Sequence, residues 1–426
     1  VVGFDEGEPI QKLSDIANSN ESDATLTERI GLNVKKAWNF QRARKTLSSI
    51  ELTDFVEYID YRPFDRRPIF FHPQWVASAA APIMQHVRAP IKNVSLLVGK
   101  KSRSGVANIY WCSDIISDKG YCSSVDNVSV FPLFISEEII GKVNYRPSIS
   151  YDISIQLENI TGLEYIDGLQ PGTRTEQSCI DIGAGWDGSG DLLSTFGPRN
   201  VFSWIYAILF SPQFRSRYAE FLSTDFPRVP LPKSREVFVE LSALGSQMTS
   251  VHLLKMDERP DLESPSVIFA GQGNARVVAG YPKYENGKVL INPNQWFEDV
   301  VPQTWEFEVG NYRVCEKWLK DRAGKGGKKP TEGRVLSNED ILHYRRIVTA
   351  IDETRRIMKE IDQVIDRHGG LPDAFYVPPP PPPSVEEIIQ ADESRELEFK
   401  STYQWDVREG KQNTALRKEV LKTLAA

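Results

Sequence analysis

The sequence predicts an α+β fold: a mixed, β-rich domain with a helical spacer and one long C-terminal helix. Three observations predict it. From Phe55 to about Ile182, short runs of β-branched and aromatic residues are separated by turn residues. Near Val201 the spacing changes to that of buried helices, with Trp204, Ile205, Ile208 and Leu209 on one face. From Asn338 to Arg367 the residues Ile341, Tyr344, Val348, Ile351, Met358, Ile361 and Ile365 keep helical spacing without a break.

Taken in order, the first fifty residues begin polar, with Asn18 to Asp23 as a loop, and become a basic helical stretch from Val34 to Lys45. The predicted strand cores are Ile69–Phe71, Val94–Val98, Ile109–Trp111 and Val128–Phe131. Ser211-Pro212 reads as an N-cap followed by proline at the first helical position, opening a helix from Gln213 to Leu222 with Phe214, Tyr218 and Phe221 as its buried stripe. Phe226-Pro227-Arg228-Val229-Pro230-Leu231-Pro232 must be extended, because each proline disfavours helix at the residue before it. Strand and hairpin return from Val267 to Val309, and Glu285-Asn286-Gly287-Lys288 is the turn such a hairpin needs. For the long helix, Ser337 is the expected N-cap with Asp340 three residues on, and Gly369-Gly370 with Pro372 ends it. Thirty residues at 1.5 Å each make a rod of roughly 45 Å.

Six consecutive prolines, Pro378 to Pro383, then form a polyproline II spacer of about 19 Å, with a ligand for a proline-binding domain as the other reading. The expected divisions are 1–50, 51–255, 256–336, 337–370, 371–384 and 385–426. A chain of 426 residues has room for two or three domains at roughly 150 residues each. It opens at Val1 and closes on an amphipathic helix without a C-cap, so a piece of a longer polypeptide is expected; a mature or engineered terminus is the other reading.

Charge excludes one class of function. With 51 basic and 58 acidic residues, the net charge of −7 is not that of a globally basic nucleic-acid coat, although a local basic face remains open. The cysteines Cys112, Cys122, Cys179 and Cys315 form no CxxC pair and no disulfide framework, which points to a reducing cytoplasm and no structural metal. No apolar run approaches a membrane span; the longest is Ile205–Phe210.

Catalytic motifs are missing. There is no GxxxxGK[ST], GxSxG or HExxH; the Gly183–Gly190 run holds a GxGxxG spacing at Gly183, Gly185 and Gly188, but it lacks both the hydrophobic strand leading into a helix and the Lys-Ser/Thr ending of a phosphate cradle, and reads as a loop. His72, His86, His252, His343 and His368 are dispersed, as core or surface imidazoles are. Val377-Pro378-Pro379 has no Asn or Asp before its prolines, so it is not the loop that holds a target amine in amino-methyltransferases. No catalytic and no metal-ligating residue is assigned.

What remains is charge. From Asn311 to Arg346 ten basic residues (Arg313, Lys317, Lys320, Arg322, Lys325, Lys328, Lys329, Arg334, Arg345, Arg346) face five acidic ones, a local net of +5. In Lys325-Gly326-Gly327-Lys328-Lys329, glycine lets the backbone approach a phosphate strand closely and lysine neutralises it; a solvated loop is the other reading. Lys100, Lys101 and Arg103 form a second cluster at the end of a strand, and Arg215 and Arg217 lie off the buried stripe of their helix. Arg103, Arg174 and Arg199, all in predicted loops, are candidates for reading base edges.

Several longer motifs carry a resemblance. Tyr61-Arg62-Pro63-Phe64-Asp65-Arg66-Arg67, Met84-Gln85-His86, Asn93 with Leu96-Leu97, and Phe131-Pro132-Leu133-Phe134 resemble the segment after the methyltransferase core of type IIG and type ISP restriction-modification enzymes. The block from Tyr206 to Ala219, its sequel Asp225–Pro230, and Tyr312–Arg322 are similar to the type ISP C-terminal specificity domain. The likeness runs from about Glu51 to Arg367.

That resemblance implies target recognition on double-stranded DNA by residues 51–336, with 1–50 leading in from an upstream adenine-N6 methyltransferase domain. That domain, which uses S-adenosylmethionine, would flip the target adenine out of the stack. Motor and nuclease domains are implied further upstream in type ISP enzymes, and the setting implied is phage defence. The tail, Glu393–Lys400 with Lys418–Ala426, is similar to the start of an AlbA-like Schlafen-type DNA-binding domain. There Glu396, Glu398 and Lys400 alternate on one strand face as a metal-dependent nuclease half-site would require, or as a surface ladder of opposite charges. Phosphate contacts are expected from Lys100, Lys101, Arg103, Arg215, Arg217, Arg313, Lys317, Lys320, Arg322, Lys325, Lys328 and Lys329. A protein-interaction module of a DNA-defence complex, without its own DNA readout, is the alternative.

Overall fold

Apart from Ser203, Val201–Phe210 is apolar on every side, and a helix of that composition has to be buried nearly all round. The rest of the protein is arranged to bury it. In the computed structural model, residues 1–376 are described except 31–38, 77–79, 89–92, 104, 106–107, 140–141, 167–187 and 328–329, and the side chains of 137–144 are likewise not described. The chain divides into two units, Val1–Tyr376 and Val377–Ala426, and the second lies outside the described residues. The expectations for the proline spacer and for Glu396, Glu398 and Lys400 therefore fall outside them too.

The first unit opens with helices α1 (Gly7–Asn18), α2 (Asp23–Arg29) and α3 (Phe40–Thr46), followed by the hairpin β1 (Val56–Arg62) and β2 (Asp65–Phe70) and helix α4 (Ala81–Val87). A three-stranded antiparallel sheet has β3 (Ser95–Gly99) at its centre between β4 (Tyr110–Ser113) and β5 (Val128–Pro132). A hairpin of β6 (Phe134–Ile139) and β7 (Lys142–Pro147), helix α5 (Tyr151–Thr161), and the short parallel pair β8 (Glu164–Tyr165) and β9 (Thr195–Phe196) follow. The helical centre is α6 (Pro198–Phe210), α7 (Pro212–Arg217), α8 (Ala219–Thr224) and α9 (Arg235–His252). A four-stranded sheet, ordered β10 (Ile268–Gly271), β13 (Gln295–Glu298), β12 (Lys288–Asn292), β11 (Lys283–Glu285), precedes α10 (Pro302–Trp305), the hairpin β14 (Glu308–Val309) and β15 (Tyr312–Arg313), α11 (Val314–Lys320) and α12 (Asn338–Arg367). The α+β expectation and its long C-terminal helix are both observed.

Local chemistry explains the ends of these elements. Ser337 Oγ accepts from the Asp340 backbone N–H, and Asp340 Oδ2 accepts from the Ser337 N–H, a capping box that starts α12. Asn286 and Gly287 both have positive φ, 49° and 80°, the turn geometry that matches the twist of a two-residue hairpin. Ser211 caps α7 as expected. The helix predicted from Gln213 to Leu222 is instead broken at Tyr218 into α7 and α8, which turns Phe221 outward to 72% exposure while Phe214 stays buried. Helix α5, expected as part of the β-rich stretch, and helix α9 are additions to the expected elements.

One core takes side chains from Phe64 to Phe375, so the sheets, α6, α9 and α12 share a single interior. A smaller core of Leu13, Ile16, Leu26, Phe40, Ala43 and Leu47 seats the opening helices on Phe70 and Trp75. At the centre, α9 packs against both α6 and α12. Its last residue, His252, stacks on Trp111 at 3.8 Å and places Nδ1 2.6 Å from the Tyr206 hydroxyl and Nε2 2.9 Å from Thr354 Oγ1. The Thr354 hydroxyl already donates to the Ala350 carbonyl, so Nε2 must donate to it and Nδ1 must accept from Tyr206. Burial and the nearby Arg215 hold the His252 pKa well below its ordinary value, in keeping with this neutral tautomer.

Helices α6 and α9 approach so closely that a Cβ at Gly245 would lie 1.8 Å from the Ser203 carbonyl oxygen. Gly245→Ala should therefore cost about 1–3 kcal/mol, because overpacking against backbone outweighs the gain in helix propensity. Urea unfolding beside Ser246→Ala, at an exposed neighbour, checks this; equal stability of the two variants would contradict the close crossing.

Candidate nucleic-acid interface

A basic residue contributes to phosphate binding only when its donors are available. In the segment from Asn311 to Arg346 most are engaged. Arg313 pairs with Glu308 across the β14–β15 hairpin at 3.3 Å, Lys320 pairs with Glu316 along α11 at 2.7 Å, and Lys317 pairs with Asp321 one turn away. Arg334 reaches back to Glu8, while Arg345 and Arg346 donate to the backbone carbonyls of Pro265 and Leu262 at 2.7 and 3.2 Å. Lys325 is exposed in its turn and has no side-chain partner among the described residues, and Lys328 and Lys329 lie outside them.

Arg322 is an interior residue. It is 7% exposed, its guanidinium carbon sits 3.4 Å from the centre of the Trp318 ring, and Nη2 donates to Asp65 Oδ1 at 3.0 Å. Asp65, 2% exposed, also accepts from Arg67 Nε at 2.9 Å on its other oxygen, and Arg67 reaches Asp321 at 3.3 Å. Burial alone would raise the Asp65 carboxyl, but Arg322 and Arg67 outweigh it and hold the pKa below the ordinary carboxylate value. The sequence alone assigns Asp65 and Arg67 no role, although both stand in the Tyr61–Arg67 motif that carries the resemblance. Arg215 is also internal in character: it donates to the Leu209 carbonyl, lies over the Phe210 ring at 4.4 Å, and burial pushes its pKa down to about 10. As placed, Arg215 and Arg322 stabilise the interior and do not present a charge to a phosphate strand.

The second cluster is different. Lys100, Lys101 and Arg103 are exposed where the chain leaves β3, and among the described residues no carboxylate pairs with their side chains. Their backbone is nevertheless fixed: the Ser102 N–H donates to the Ser223 carbonyl at 3.0 Å and the Arg103 N–H to Asp126 at 2.7 Å. Arg217 is exposed and donates to the Leu371 carbonyl at 3.2 Å, Arg199 is half-buried at the start of α6, and Arg174 lies outside the described residues. The arrangement suits ionic contact with a polyanion better than bond-making chemistry. Among the described residues there is no cluster of three or more His, Cys, Asp or Glu able to hold a metal, and no helix long and apolar enough to cross a membrane.

The family profile described as Type ISP C-terminal specificity domain matches residues 1–360. No curated protein matches the sequence. Among solved structures, the ATP-dependent type ISP restriction-modification enzyme LlaBIII bound to DNA is similar at a TM-score of 0.57 and 12% identity, over 84% of this chain and 21% of that one. The DrdV–DNA complex is similar at a TM-score of 0.55 and 16% identity, over 85% of this chain and 34% of that one. A nuclease-deletion mutant of the type ISP enzyme LlaGI with a DNA substrate mimic is similar at 0.50 and 14%, over 83% and 25%. The chain thus spans a fifth to a third of the length of these solved proteins. At such identities the likeness is one of fold.

The buried ion cluster generates a prediction. Asp65→Asn removes the charge that holds two interior guanidinium groups, and breaking such a pair costs about 3–5 kcal/mol. Because the Asp65 pKa is lowered in the fold, its contribution is complete above the unfolded carboxyl value near 3.9 and lost as pH falls from there through the folded value. Denaturant unfolding at neutral pH should show the full loss, and the difference between wild type and variant should shrink on acidification below about pH 4. A variant as stable as wild type at neutral pH would contradict the role assigned to Asp65.

Proposed function

The chain belongs to the type ISP C-terminal specificity domain family, and we propose that it recognises a short sequence in double-stranded DNA as the specificity portion of a bacterial restriction-modification enzyme. The observation that carries the reading is the family match across residues 1–360, on a fold shared with three enzymes solved with DNA or a DNA mimic. Surface cations fit it: Lys100, Lys101, Arg103 and Lys325 would supply sequence-independent affinity and register through phosphates, while side chains from nearby loops read base edges in the major groove.

On this reading the chemistry lies elsewhere in a longer polypeptide. An adenine-N6 methyltransferase domain would bind S-adenosylmethionine and take the target base from the stack once the specificity domain has fixed the register. This chain's residues would bind and orient the duplex. A net charge of −7 is compatible with that task, because the steering field is local and like charge elsewhere limits adhesion to non-target nucleic acid.

Fluorescence anisotropy of the purified chain with random duplex DNA tests the proposal. Raising salt from about 50 to about 200 mM should weaken binding about ten-fold or more, the fall expected for two or more phosphate contacts. Absence of binding at low salt, or association indifferent to salt, would overturn it and favour a protein-interaction module.

A further inference from the structure

Resting on the reading as a DNA-recognition domain, we infer that the duplex is met by the surface joining the residues after β3, the end of β5 and the extended strap after α8. Phosphates fall to Lys100, Lys101, Arg103 and Arg228, and a base edge falls to Phe131. Three observations converge there.

The first is the availability of charge. Lys100, Lys101, Arg103 and Arg228 are exposed and, among the described residues, free of carboxylate partners, whereas Arg313, Lys317 and Lys320 each hold one. A cation already paired must give up its partner before it meets a phosphate, so among the described residues of the 311–346 segment Lys325 alone is an exposed cation without a side-chain partner. Among the described residues, the exposed acidic groups on the segments that form this surface are Asp225 and Glu220; Asp126 is buried and accepts from the Arg103 N–H and the Ser123 hydroxyl.

The second is aromatic exposure on a rigid support. Phe131 is 45% exposed on β5, an edge strand paired only with β3. Phe226 from the strap meets it edge to face, with centroids 5.5 Å apart and planes at 83°, and the Lys100 ammonium lies 5.5 Å from the Phe226 ring. The pair fixes the Phe131 ring in place, and an apolar ring beside cations suits contact with a thymine methyl or insertion at a base step.

The third is register. The bond from the Ser102 N–H to the Ser223 carbonyl ties the cluster to α8, whose Phe221 also faces solvent, and Arg228 follows Phe226 by two residues on the strap. Cations and rings therefore share one anchored surface rather than separate flexible loops.

The test compares the slope of log affinity against log salt for the whole chain and three variants, on random duplex DNA. The triple variant Lys100→Ala, Lys101→Ala, Arg103→Ala should lose about 2–3 units of slope, close to 0.9 for each phosphate contact removed, while Lys317→Ala with Lys320→Ala should keep the wild-type slope. Phe131→Ala should keep the slope but weaken binding to a selected site more than binding to random DNA. Thermal unfolding confirms that each surface variant is folded. If wild type binds with a salt slope that the triple variant retains, or that the double variant loses, the surface assignment fails and the DNA reading stands. If wild type shows no salt-dependent binding, both fail.

Discussion

A carboxylate sealed inside a protein must be neutralised or the fold does not form, and Asp65 is neutralised by residues from two distant parts of the chain. Arg67 comes from the same hairpin, whereas Arg322 arrives from 257 residues away, after α11. The constraint spreads outward. Arg67, Arg322 and Arg334 all lie over the Phe4 ring at 4.2, 5.1 and 4.3 Å, so one aromatic side chain shares three cations. Next to Asp65, the Phe64 carbonyl accepts from His343 Nε2 of α12 at 2.7 Å. The opening segment, the β1–β2 hairpin, α11 and the long helix thus converge on one ion cluster. Its net value for stability is modest when complete, because desolvation offsets attraction, but it is costly when a partner is missing. Such a cluster favours one arrangement of four segments over others.

That investment decides which charges are left for function. The segment richest in lysine and arginine spends most of those described on Glu308, Glu316, Asp321, Asp65 and backbone carbonyls, holding α11 and α12 against the core. The cluster after β3 spends its backbone on Ser223 and Asp126 and keeps its side chains outward. Among the described residues, counting charges along the chain ranks these two regions in the opposite order from counting unengaged donors. A domain that reads DNA needs both kinds: interior cations to make a rigid frame, and surface cations whose only strong partner is the phosphate backbone.

The sequence made some of this legible. Helix α12 was readable because its apolar stripe, its Ser337 and Asp340 box and its terminal glycines are all local signals, and the Asn286-Gly287 turn was readable for the same reason. Helix α9 was hidden. Gly245, Thr249 and Ser250 look like loop residues, yet they are small because α9 is buried against neighbouring helices, and the interaction that selects them is tertiary. Phe221 has the spacing of a buried residue, but the break at Tyr218 rotates it to solvent. The burial of Arg322 was not readable at all, since its partner Asp65 lies 257 positions away and nothing nearby distinguishes it from the surface arginines. In the candidate site, the residue types were legible and their engagement was not.

A specificity domain has to read sequence, which is more than adhering to a polyanion. Site selection from a random duplex pool tests it most directly: the immobilised chain is carried through several rounds of binding and washing near physiological salt, and the retained pool is sequenced. One short motif should be enriched, with positions that tolerate a single base. A pool that is retained but stays random would contradict it, leaving a backbone-binding surface without readout.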